Sequence, residues 1–113
     1  MNDCIFCKVI ERKVPAKIER EEKEWMAIQD INPKAPVHLL IIPKTHIEKI
    51  DDLSDEQAPF IGRLIVAAKK MAAQKNVAKG YRLVFNNGAE AGQSVFHIHL
   101  HLLGGRPMTW PPG

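Results

Sequence analysis

Gly92-Gln93-Ser94-Val95-Phe96-His97-Ile98-His99-Leu100-His101-Leu102-Leu103 is the stretch on which the reading of this chain turns. From Val95 onward, histidines and apolar residues alternate with period two, the pattern of a half-buried β-strand. Successive side chains of a strand point to opposite faces. Val95, His97, His99 and His101 therefore share one face, and Phe96, Ile98, Leu100 and Leu102 the other. The apolar row suits a core. The opposite row aligns three of the chain's five histidines, spaced about 6–7 Å apart. Buried imidazoles without partners cost stability, so the row is expected to do chemistry. It could bind a metal through His-x-His, handle phosphate with His as nucleophile and proton carrier, or only grip phosphate in a nucleotide-binding module. A strand that is merely rich in His is the plain alternative.

The rest of the chain bounds these options. At 113 residues it is one domain, spanning 1–113, with a real but limited core. Its net charge of +3 comes from 16 basic and 13 acidic residues, too mild and scattered for a nucleic-acid footprint. The longest apolar run, Val37 to Ile42, is broken by His38, so no membrane span is expected. Met1-Asn2-Asp3-Cys4 has no basic or apolar leader pattern. The expected location is the cytoplasm, where two cysteines serve as thiols or metal ligands sooner than as a disulfide.

Cys4-Ile5-Phe6-Cys7-Lys8-Val9-Ile10-Glu11 reads as an opening helix with Asp3 as N-cap, closed by Pro15. Cys4 and Cys7 stand at i, i+3 on one helical face. They fit a redox pair, two buried thiols, or half of a zinc site. Lys17 to Glu21 and Trp25 to Asp30 read as a hairpin, and Asp30-Ile31-Asn32-Pro33 as a turn. Asp30 is either a turn-capping residue or a carboxylate able to hold a pair of sugar hydroxyls. Val37 to Pro43 reads as a central strand with His38 as a structural residue. His46 follows at a strand end as a candidate ligand. Ser54 and Gln57 form a capping box for a helix toward Lys75, with Pro59 marking either its regular start or a bent first turn. Tyr81 to Asn86 alternates as a fourth strand, and a loop with two glycines, Gly88 and Gly92, then leads into the histidine row. Such a loop lets backbone N–H groups approach an anion, and Ser94 adds a hydroxyl beside it.

His97-Ile98-His99-Leu100-His101-Leu102-Leu103 resembles the histidine-triad (HIT) signature, a highly specific motif, and the likeness extends from Cys4 to Gly113. Gly92-Gln93-Ser94-Val95 and Gly104-Gly105-Arg106 look like the Hint branch, the purine nucleoside phosphoramidases; the branch that cleaves diadenosine polyphosphates usually has Thr at the Ser94 position. The resemblance implies an α+β fold, a five-stranded antiparallel sheet with two helices, dimerised into a continuous ten-stranded sheet. It implies hydrolysis of AMP or GMP adducts of amines through a nucleotidylated histidine. Carried onto this chain, it makes His99 the nucleophile, with His101, Gly92, Gln93 and Ser94 holding the phosphate and His97 supporting the row. Ser94 would also lie near the leaving nitrogen. Asn86 joins the phosphate and ribose contacts, and Asp30 takes the ribose hydroxyls. Ile5, Phe6, Val9, Ile28 and Ile31 line the base pocket, and Trp110 packs beside the partner's active site. Pro107 and Thr109 stand where relatives often carry Gln and His. Cys4, Cys7, His46 and His97 make a Cys₂His₂ set for a structural zinc, which Hint-like relatives with this cysteine pair hold there. Some relatives lack the cysteines, so no cofactor is required for the chemistry. A dinucleoside polyphosphate hydrolase and a non-catalytic nucleotide-binding interaction protein are the competing readings. No membrane or nucleic-acid partner is expected.

Overall fold

The computed structural model describes residues 3–113. A short helix, α1 (Ile5–Ile10), precedes strands β1 (Ile18–Glu21), β2 (Trp25–Gln29) and β3 (Val37–Pro43). The long helix α2 (Ala58–Gln74) and strands β4 (Tyr81–Val84) and β5 (Leu100–Gly104) complete the fold. The sheet has five antiparallel strands in the order β1-β2-β3-β5-β4. The expected architecture of five strands and two helices is what the chain adopts. Among the described residues no helix is long and apolar enough to cross a membrane.

Both faces of the sheet centre are covered, which explains why β2 and β3 read as near-continuous apolar runs. Trp25 and Ala27 of β2, Leu39 and Ile41 of β3, and Leu100 and Leu102 of β5 pack with Leu64, Ala67, Ala68 and Met71 of α2. On the other face Met26, Ile28, Leu40 and Ile42 pack with Phe6 and Val9 of α1. β5 divides its side chains between these two layers. Leu100 and Leu102 enter the α2 core, while His101, with His99 just ahead of the strand, lies on the α1 side. Gly104 closes β5 where a Cβ would stand 2.9 Å from the Val77 side chain, so the backbone itself fills that contact.

Several boundaries differ from the sequence expectation, each for a physical reason. Asp3 is not the N-cap: Cys4 is extended, and its sulfur accepts the N–H of Cys7. α1 stops at Ile10, before Pro15, because the chain turns left-handed at Arg12, φ 63°. β2 ends at Gln29 and β4 at Val84, short of Asp30 and Asn86. The Ser54–Gln57 capping box is present but starts a single 3₁₀ turn, Asp55–Gln57. The α-helix follows at Ala58, with Pro59 in the first turn, where its missing N–H costs nothing.

The largest difference concerns the histidine strand. Ladder pairing begins at Leu100, opposite Ile41, and not at Val95. Only His101 of the three histidines is in the regular strand. The segment before it is held by other means, including the Ile98 N–H on the Ile47 carbonyl at 2.7 Å. The alternation survives partly: Ile98, Leu100 and Leu102 are buried, but Phe96 is 40% exposed. His97 and His99 are buried as well, so the row is not the open face of a strand.

Leu102 has no exposed surface and joins β5 to α2. Leu102→Ala is expected to cost about 3 kcal/mol in urea unfolding. Val66→Ala, at a half-exposed position of α2, should stay within about 0.5 kcal/mol.

Candidate active site

A cleft of about 540 Å³ opens on the α1 side of the sheet. Ile5, Phe6 and Val9 of α1 form one wall, Ile28 and Leu40 the sheet wall, and Asp30 and Ile31 the rim. Gly92, Ser94, His99 and His101 close its polar end. Ten of the residues proposed from sequence therefore meet in one place: Ile5, Phe6, Val9, Ile28, Asp30, Ile31, Gly92, Ser94, His99 and His101. Asn86, Gln93, His97 and Trp110 do not line it.

Hydrogen bonds decide which nitrogen of each imidazole carries the proton. His99 Nδ1 lies 2.7 Å from the His97 carbonyl oxygen. A carbonyl only accepts, so Nδ1 is the N–H donor and Nε2 of the neutral ring keeps a lone pair. The edge of the Phe6 ring meets His99, with centroids 5.0 Å apart. Burial holds the His99 pKa below the usual histidine value, against the opposing pull of the His97 carbonyl and Asp30. The ring is therefore neutral at pH 7, as a nucleophile must be.

A second chain of bonds sets His101. The Lys34 N–H donates to His38 Nδ1 at 3.0 Å. That leaves the proton of neutral His38 on Nε2, which lies 3.0 Å from His101 Nδ1 and 3.5 Å from Asp30 Oδ2. His38 thus donates to His101 Nδ1, and His101 carries its own proton on Nε2, ready to donate. Burial, reinforced by His99 and His38, pushes the His101 pKa down to about 4. Burial likewise lowers His38. The sequence suggests a structural role for His38; the fold makes it part of the cleft. Opposite Leu40 stands His101, so His38, two residues earlier on β3, is its diagonal neighbour. That pairing is invisible in either segment alone.

Gly92 has φ 96°, in the left-handed region, where a side chain would be strained. Gln93, buried, fixes this turn. Its side-chain oxygen accepts the Gly88 N–H at 2.8 Å, and its amide donates to the carbonyls of Glu48 at 2.7 Å and Val95 at 3.1 Å. Gln93 therefore positions the Gly92–Ser94 loop without touching the cleft. Asp30 Oδ1 accepts the Asn32 N–H at 2.8 Å, the turn-capping role, and keeps further lone pairs at the rim.

His97 faces the other way. Its Nε2 donates to the Pro43 carbonyl at 2.7 Å, leaving the Nδ1 lone pair directed at a cluster. Nδ1 is 3.4 Å from Cys4 Sγ, 3.6 Å from Cys7 Sγ and 3.1 Å from His46 Nδ1, and Cys7 Sγ is 3.4 Å from His46 Nδ1. A tetrahedral zinc with nitrogen and sulfur ligands puts those atoms about 3.3–3.8 Å apart. The four residues read from sequence as a metal set therefore converge with near-tetrahedral spacing. Burial pushes the Cys4 thiol above its ordinary value and His97 down to about 4, so both side chains are held in their neutral forms. His97 acts on the cleft only through its carbonyl, as a positioning residue. Trp110 is 82% exposed on the tail.

Comparison with known proteins agrees with this geometry. Residues 3–110 match the family model described as scavenger mRNA decapping enzyme C-term binding. The chain is 49% identical over 111 residues to an uncharacterized HIT-like protein of Synechocystis, covering 98% of this chain and 97% of that protein. The crystal structure of a HIT family hydrolase from Legionella pneumophila is similar with a TM-score of 0.95 at 50% identity, covering 98% of this chain and 100% of that one. A histidine triad nucleotide-binding protein from Candida albicans gives a TM-score of 0.81 at 31% identity, over 96% of this chain and 83% of that one.

The lowered His101 and His38 values have a sign. The unfolded chain, with histidine near about 6.5, binds more protons than the folded one. The stability from keeping these rings neutral is present above that pH and is lost as pH falls through their lowered values, which for His101 is about 4. The melting temperature should therefore drop between pH 7 and pH 4.5, and less steeply for His101→Asn. Parallel curves for the two proteins would show that the pair does not carry the effect.

Proposed function

The chain belongs to the histidine-triad family and is similar to hydrolases within it, and from that premise we propose that it hydrolyses purine nucleoside 5′-phosphoramidates through a nucleotidylated His99. The observation that carries this reading is the pair of tautomers: His99 keeps an Nε2 lone pair and His101 an Nε2–H, side by side with ring centroids 4.9 Å apart. One ring can attack phosphorus while the other donates to a non-bridging oxygen.

The apolar cleft takes the purine, and Asp30 accepts the ribose hydroxyls with its remaining lone pairs. His99 Nε2 attacks phosphorus, forming an N–P bond as the bond to the amine breaks. The electron pair goes to the leaving nitrogen, which takes a proton and departs as the amine. Ser94, which lines the polar end of the cleft, would hydrogen-bond that nitrogen. Water then attacks the adduct, the N–P bond returns its electron pair to His99, and the water's proton is released. The sum is phosphoramidate plus water giving the nucleoside monophosphate and amine. Donors preset at the developing charge make the largest single contribution in such chemistry.

Cys4, Cys7, His46 and His97 would hold a zinc ion with all four positions filled by protein. Such an ion supplies no open site and acts through folding and position. Ile5 and Phe6 sit between the two cysteines and line the base cleft, so the metal would tie that wall to the segment bearing His99. Dimerisation into a continuous sheet would give the exposed Trp110 a partner surface near the neighbouring site.

His99→Ala should reduce turnover of AMP joined to an alkylamine by at least about a thousandfold while retaining AMP binding. His101→Ala should lose about a hundredfold. Faster cleavage of diadenosine polyphosphates than of AMP-amines would favour the dinucleotide reading, and AMP binding without turnover of either would favour a binding module. For the metal, Cys4→Ala or Cys7→Ala should lower the melting temperature and raise KM more than it lowers kcat. Elemental analysis of protein purified without chelator should find about one zinc per chain.

A further inference from the structure

A second cleft, of about 480 Å³, opens beside Ser94. Ile5, Ser94 and Val95 line both clefts, so the two adjoin at the segment that carries Ser94. Their charge differs. The nucleotide cleft carries Asp30 and Lys34; the second carries Asp3 and Glu48 and no lysine or arginine. Glu19, Glu21, Glu22 and Glu24 are each held by a lysine or arginine, whereas among the described residues neither Asp3 nor Glu48 is in an ion pair. Phe96 adds an apolar wall, and it is 40% exposed there. Glu48 is also tied to the loop it faces, since its carbonyl receives the Gln93 amide that fixes the turn before Ser94.

The reaction gives this cleft a use. With the purine in the apolar cleft and His99 attacking, the leaving group departs roughly in line, away from His99. A nitrogen beside the Ser94 hydroxyl directs its substituent across the shared wall of Ile5, Ser94 and Val95. We propose that this second cleft is the leaving-group subsite and that Asp3 and Glu48 make it select amines bearing a second positive charge, such as alkyl diamines. The inference rests on the phosphoramidase reading above and adds to it the identity of the residues that choose the amine. A methylene chain lies against Phe96 and Val95, and its terminal ammonium reaches the two carboxylates.

The test uses the full-length protein and three AMP phosphoramidates, with diaminopentane, pentylamine and aminohexanoate as leaving amines. Exposed carboxylates each contribute modestly, so the diaminopentane adduct should exceed the pentylamine adduct in kcat/KM by about tenfold at low ionic strength. The aminohexanoate adduct should be the poorest. The diamine advantage should shrink with added salt. It should fall to about twofold in the Asp3→Asn, Glu48→Gln double variant, mainly through KM, and Glu48→Lys should move the preference toward aminohexanoate. Cleavage of all three adducts with a selectivity indifferent to these substitutions would overturn the subsite while leaving the phosphoramidase reading standing. Cleavage of none would overturn that reading, and the subsite with it.

Discussion

A single hydrogen bond, from His99 Nδ1 to the carbonyl of His97, governs the chemistry available to this molecule. It selects the tautomer that leaves Nε2 basic, and it does so within one turn of chain. Its acceptor is immobile because the His97 ring is itself anchored, by Nε2 on the Pro43 carbonyl and Nδ1 in the Cys4–Cys7–His46 cluster. Loosening the cluster would let the His99 ring rotate or change tautomer. The cysteine–histidine cluster and the histidine end of the cleft are therefore one mechanical unit, although they face opposite ways.

The second imidazole depends on a longer arrangement. Its proton position follows from the Lys34 N–H through His38 to His101, a chain that crosses from the β2–β3 turn over two strands. Backbone amides start or end both chains, and they cannot change protonation state at ordinary pH. The burial that holds the histidine pKa values down keeps both rings neutral, and neutral rings can offer one lone pair and one proton each. Full solvation would return the rings to the middle of their titration and mix the roles.

Much of the site was legible because its signals are local. The His-x-His-x-His row, the cysteine pair and the Asp30 turn each announce themselves within a few residues. The Cys4, Cys7, His46 and His97 set was legible from residue type, and the fold brings these four side chains together. What escaped was non-local. The start of β5 is set by its pairing with β3, which stops at Ile41 opposite Leu100 although β3 itself runs on to Pro43, and no window around Val95 contains that limit. His38 gains its role from a diagonal neighbour 63 positions away. Gln93 looked like a phosphate contact from its place between Gly92 and Ser94. Its buried side chain instead closes the loop on itself and on Glu48. Trp110 had an argument for burial that a single chain does not satisfy.

The division of β5 between two layers has a consequence for how the chain finds its fold. Shifting a strand by one residue exchanges its two faces. In β5 that exchange would drive imidazoles into the layer against α2 and turn Leu100 and Leu102 toward the polar end of the cleft. Each imidazole forced among Leu64, Ala68 and Met71 would lose its partners, at a cost of about 1–3 kcal/mol apiece. The correct alignment with β3 is thus separated from its nearest competitors by the same residues that close the polar end of the cleft. Replacing the histidines with aliphatic residues would remove that discrimination, so a catalytically dead, all-apolar strand would also be one more prone to pair out of step.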